Sequence, residues 1–163
     1  MSLHDELSTQ ELHALMRLKT QQAIAEHGCL VMGIFPTEAS ELQVPFAYSI
    51  GLPITFPGAA ELLIIGLDPD TSQQMINTIV ALMKEGKRFS DGDEASGIIQ
   101  RLPLAFRTVA RRHYDAYMGK AIEYHDGSNW PLLQVIWPDT KGRFPWQAGF
   151  EERFREKQPL LFE

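Results

Sequence analysis

The stretch Tyr48-Ser49-Ile50-Gly51-Leu52 sets a phenol, a hydroxyl and a bare backbone side by side where an apolar strand runs into glycine. Gly51 allows either a positive φ or the close approach of a ligand. Alternation puts Tyr48 on the strand face of Phe46 and Ile50, so its hydroxyl could equally satisfy a buried neighbour. Ser49 lacks the G-x-S-x-G elbow of a hydrolase nucleophile. Glu61 follows Ala59 and Ala60 and precedes Leu62, Leu63, Ile64 and Ile65, which places it at the mouth of a buried strand. Desolvation there disfavours a bare carboxylate and suits general acid–base work, although a loop amide or an arginine could claim the same group. Glu61, Tyr48 and Ser49 are therefore the catalytic candidates.

Trp137-Pro138-Asp139 and Phe144-Pro145-Trp146 surround a proline-stiffened turn with two indoles and a carboxylate. Such walls can hold a ligand, or seal the open end of a core with Asp139 closing the turn. Together these segments nominate Tyr48, Ser49, Gly51, Glu61, Trp137, Asp139 and Trp146 as a ligand-binding set. Arg107, Arg111 and Arg112 beside His113 make the one concentrated basic patch, an anion-binding candidate if it stands at a helix start and otherwise a solvated face. His4, His13, His27, His113 and His125 show no i, i+4 pairing, so no metal site is expected. Cys29 adjoins an apolar strand and reads as a small core residue. No cofactor is implied.

The elements that must position these groups belong to an ordinary globular chain of 163 residues, 44% hydrophobic and 22% charged. A single cysteine excludes a disulfide framework. No apolar run approaches the ~20 residues of a membrane span, and the N-terminus lacks the basic and apolar regions of a signal peptide. A soluble, cytoplasmic domain is the expectation. The net charge of −6 divides into −7 over residues 1–83 and +1 over 84–163, which argues against a broad nucleic-acid surface.

Ser8-Thr9-Gln10-Glu11 fits a capping box, with Leu7 and Leu12 at hydrophobic-staple spacing, and predicts a helix over about 9–26. Leu12, Leu15, Met16, Ala23 and Ile24 would form its buried face, and Gly28 its left-handed stop. Cys29–Phe35 reads as a buried strand, Val44–Ile50 and Glu61–Ile65 as two more, and their short connections favour antiparallel pairing. Asp68-Pro69 opens a helix to about residue 85 with Met75, Ile76, Ile79, Val80 and Met83 inward. Residues 89–97 read as loop, Ile98–Leu102 and Leu104–Val109 as strands split by Pro103, and 112–125 as a helix. Periodicity leaves a single longer helix from Leu104 open. Leu132–Trp137 is the last strand. Residues 1–8 form a lead and 139–163 a loop-rich segment in which Phe150–Lys157 could be helical.

Several segments resemble the DUF4262 family, a bacterial domain of unknown function. They are Glu26-His27-Gly28, Phe46 through Leu52, Glu61-Leu62 leading to Gly66-Leu67, and Leu133-Gln134-Val135-Ile136-Trp137-Pro138-Asp139. Gly142-Arg143-Phe144-Pro145-Trp146 and Gln158-Pro159-Leu160 extend the likeness. The family pattern carries Gly-His-Pro-Glu before the third strand, where this chain has Gly58-Ala59-Ala60-Glu61. The resemblance implies that any histidine chemistry at that position is missing here, and it implies no activity.

The sequence thus predicts one α+β domain over 1–163, with a mainly antiparallel or mixed central sheet and about three covering helices. The leading functional expectation is a binding domain that holds a small polar ligand or a partner segment at strand ends near the C-terminal aromatic loop. One alternative is a hydrolase- or isomerase-like enzyme with Glu61 as general base. Another is an acidic immunity- or antitoxin-like interaction protein.

Overall fold

A computed structural model describes residues 8–162. Leu7, the first half of the staple, and His4 lie outside the described residues, as does most of the 1–8 lead. Helix α1 (Thr9–His27) begins where the Ser8 hydroxyl accepts from the Glu11 amide at 3.1 Å and ends at Gly28 with φ +98°. Both ends follow the expected caps.

Six strands form one sheet in the order β1-β2-β3-β6-β5-β4. They are β1 (Leu30–Ile34), β2 (Phe46–Ile50), β3 (Glu61–Ile65), β4 (Glu94–Ile99), β5 (Leu102–Thr108) and β6 (Leu132–Ile136). β1–β2, β2–β3, β4–β5 and β5–β6 are antiparallel, while β3 and β6 run parallel. The sheet is therefore mixed. Short links force antiparallel neighbours, and the long excursion between β3 and β6 permits the one parallel pair.

Helix α2 (Leu52–Thr55) is a single turn between β2 and β3, and α3 (Pro69–Lys84) starts on an Asp68 cap. Met75, Ile76, Ile79, Val80 and Met83 of α3 cover one sheet face, meeting Leu62, Ile64, Phe106 and Val135. The other face carries Phe46, Tyr48, Ile50, Leu63 and Leu132. It is covered by α4 (Tyr114–Tyr117) and α5 (Gly119–His125).

Several local expectations are corrected. β1 is an edge strand and only half-buried, because among the described residues no strand pairs on its outer side. β4 begins inside the expected loop, and Pro103 lies within β5 opposite a register break between Ala95 and Ile99, where the missing amide interrupts no regular ladder. Leu104–His125 is strand plus helix, and the helix is broken at Met118 (φ −109°, ψ 30°). Phe150–Lys157 holds only the turn Glu152–Phe154. The apolar stripe of α1 is largely outside: Leu15 and Met16 are exposed, and Thr20 is the helix's buried residue. α1 rests mainly on the sheet edge and on α2, so only part of its surface has a neighbour.

Candidate functional site

Glu61 opens β3, and its carboxylate is completely buried. β2 and β3 pair as far as Tyr48↔Leu63. One step further, the Leu62 amide donates to the Ser49 hydroxyl at 2.8 Å, and that hydroxyl donates to Glu61 Oε1 at 2.8 Å. The turn into α2 aims two backbone amides at the same carboxylate: Gly51 N–H reaches Oε2 at 2.7 Å and Leu52 N–H reaches Oε1 at 3.1 Å. The fourth partner comes from the end of α5, where His125 Nε2 lies 2.7 Å from Oε2. An ionised carboxylate only accepts, so against that form of Glu61 the donor is Nε2. Among the described residues, Nδ1 of His125 has no hydrogen-bond partner. The ring is also held between Tyr124 and Trp130, with centroids 5.7 and 5.3 Å away.

Gly51 takes φ +117°, and a Cβ there would lie 2.5 Å from the Ile24 side chain of α1. The positive φ is met, and the group that approaches this glycine closely is a helix of the same chain, not a ligand.

Ser49, Gly51 and Glu61 converge, and Tyr48 does not join them. Its side chain lies on the sheet face of Phe46 and Ile50, and its hydroxyl accepts from the Lys120 amide at 3.2 Å. Burial raises its pKa, opposed by the Lys120 hydrogen bond and reinforced by the nearby Glu123 charge. Trp137 sits at the far end of the sheet, donating from Nε1 to the Ile65 carbonyl at 2.7 Å. Since β3 and β6 are parallel, the four-residue rise from Glu61 to Ile65 separates the two groups by ~13 Å. Asp139 is 1% exposed and closes its own turn, accepting from the amides of Lys141, Arg143 and Glu151 and from Arg143 Nε at 3.0 Å. Burial pushes its pKa up, but those hydrogen bonds win and bring it down to about 2. Trp146 is 43% exposed and stacks on Phe144.

The arginine candidates separate too. Arg107 on β5 lies over the Phe162 ring at 4.0 Å and beside Asp91 at 3.5 Å. Arg111 donates to the Ser128 carbonyl, and Arg112 is exposed. Arg111 and Arg112 lie inside a short turn of helix, Arg111–His113, instead of opening a longer one. Cys29 is buried, and its thiol is pushed up to about 12 by burial first and by the Glu61 charge second, with Lys84 opposing.

A cleft of about 250 Å³ lies between α1, the outer end of the sheet and α5. Its floor is the cross-strand pair Leu30↔Ile50 with Met32, which is itself paired with Tyr48. Arg17 of α1 and Lys120, Glu123 and Tyr124 of α5 stand at its sides. His125, one residue beyond Tyr124, ties that wall to Glu61.

The family model described as "Domain of unknown function (DUF4262)" matches residues 23–151. The chain belongs to this family. The DUF4262 match takes in Tyr48, Ser49, Gly51, Glu61, His125, Trp137, Asp139 and Trp146, and leaves out the part of α1 that borders the cleft from His13 to Thr20. No curated protein and no solved structure matches the chain.

Proposed function

We propose that this protein is a binding domain whose ligand lies in the cleft between α1 and α5. One observation supports the reading above others: an apolar floor on the sheet is walled by α5, whose end is tied down by the buried Glu61 network. Clefts with apolar floors and a few polar groups at the sides are the usual form of small-ligand sites. The aromatic loop of Trp137, Asp139 and Trp146 is no part of it, because those groups are engaged elsewhere in the fold.

The test uses 1-aminoanthracene, a neutral dye whose emission rises in apolar surroundings. Saturable binding at one site is expected, abolished in Ala14→Trp, which fills the cleft from an exposed position on α1. Equal dye binding by both proteins, with unchanged circular dichroism, would remove the cleft from consideration.

A second reading rests on the Glu61–His125 pair. Four donors occupy both oxygens of Glu61, so Glu61 is badly placed to accept a proton from a substrate. Ser49 is likewise committed. A general base in a hydrolase- or isomerase-like reaction would then be His125 Nδ1, oriented by Glu61 as a carboxylate orients a catalytic imidazole. Native protein should in that case show carbethoxylation of His125 by diethyl pyrocarbonate. Modification confined to the other histidines would exclude the base.

A further inference from the structure

We infer that the ligand of the cleft is an amphipathic anion, a medium-chain carboxylate whose tail lies on the sheet and whose head meets Arg17 and Lys120. The inference rests on the binding reading above and adds the class of ligand.

The floor offers only apolar contact through Leu30, Met32 and Ile50, to which Met16 adds a flexible thioether side chain. Such a surface gains free energy from a hydrocarbon body and nothing from a polar one. Size narrows the choice. At roughly 30 Å³ per water-sized group, about 250 Å³ accommodates on the order of eight such groups, the bulk of an octyl chain.

Charge selects the head. Among the described residues that line the cleft, Arg17 and Lys120 are the basic groups, from two different helices, and Glu123 is the single acid. Glu123 is already engaged by Lys120 at 3.5 Å and by His13 at 4.0 Å. The lining thus carries a surplus of one positive charge in a chain whose net charge is −6. Arg17 is also pre-oriented. Its guanidinium lies 4.6 Å from the Tyr124 ring centroid, and Nη1 donates to the Tyr124 carbonyl at 3.1 Å. A guanidinium has five N–H donors in a fixed fork, and one such anchor leaves others for a carboxylate. A cationic head would meet Arg17 and Lys120 unfavourably, and a neutral alcohol would leave the surplus charge unmatched.

The experiment is displacement of 1-aminoanthracene by octanoate, octanol and octylamine, on wild type and on Arg17→Gln, Lys120→Gln and Ala14→Trp. Octanoate should compete roughly tenfold better than octanol, the scale of one charge-assisted hydrogen bond, with octylamine weakest. Arg17→Gln and Lys120→Gln should each bring octanoate toward octanol. Octanol equal to octanoate on wild type, or a preference that survives both substitutions, overturns the carboxylate and leaves the cleft standing. Failure of all three to displace a dye that Ala14→Trp excludes overturns the octyl ligand and leaves the cleft standing, whereas dye binding and displacement untouched by Ala14→Trp overturn the cleft itself. A melting curve for each variant separates loss of the fold from loss of the ligand.

Discussion

Replacing Glu61 with glutamine keeps the volume and removes the charge. In the native protein Ser49 Oγ, Gly51 N–H, Leu52 N–H and His125 Nε2 all point at this carboxylate, over 2.7–3.1 Å. A glutamine offers one acceptor oxygen and one NH₂, so one side of the site becomes donor against donor. Two of the converging groups lose their acceptor, and a stranded buried donor costs about 1–3 kcal/mol. For two such donors the total is about 2–6 kcal/mol. For a chain of this length that is a fall in Tm of roughly 4–24 °C. Thermal and urea melts of Glu61→Gln, His125→Ala and the double variant would measure it. The double-mutant cycle should return a coupling of about 1–3 kcal/mol, because the two side chains share one hydrogen bond. A Glu61→Gln protein that melts within a degree or so of wild type, or strictly additive effects, would refute the claim that this joint holds α5 to the sheet.

Other consequences are open to direct measurement. Asp139 has its carboxyl lowered from 3.8 to about 2 in the fold, so its stabilisation is complete above about 3.8 and is lost as the pH falls toward 2. Asp139→Asn should flatten that part of the acid limb in a stability–pH series, and an unchanged limb would count against the turn. Cys29, buried and pushed up to about 12, should ignore Ellman's reagent at neutral pH in native protein and react fully in denaturant. Trp130 and Trp137 are each 6% exposed against 43% for Trp146, so Trp146→Phe should remove most of the acrylamide-quenchable emission. Gly51→Ala must strain a φ of +117° and displace Ile24, and a loss of at least 1–2 kcal/mol is expected in urea melts.

Local chemistry made much of this legible. The Ser8 cap, the Asp68-Pro69 start and the Gly28 stop are each written within a few residues, and so is the apolar stripe of α3. The meeting of Ser49, Gly51 and Glu61 was equally within reach, because a short connection between antiparallel strands folds them together. His125 was not, since it lies 64 positions from Glu61 and carries no spacing signal. Its nearest hint is its place at a helix end followed by Asp126-Gly127. Grouping Trp137 with Glu61 depends on strand polarity, which residue types do not encode: a parallel β6 carries Trp137 to the opposite end of the strands. The exposure of Leu15 and Met16 was hidden for a similar reason, since helical periodicity reports a face and not whether anything lies opposite it.

The parallel seam between β3 and β6 bears on how the chain reaches this state. Strands β1 to β3 can zip from neighbour to neighbour, and so can β4 to β6, but residue 61 must find residue 132 across a long loop. Closure entropy is spent before those contacts reward it, so this docking should govern the refolding rate. Until it happens, Glu61-Leu-Leu-Ile-Ile65 is a bare edge able to recruit another molecule. The carboxylate at its head then acts as a gatekeeper in the nascent chain, and becomes an anchor once the seam has closed.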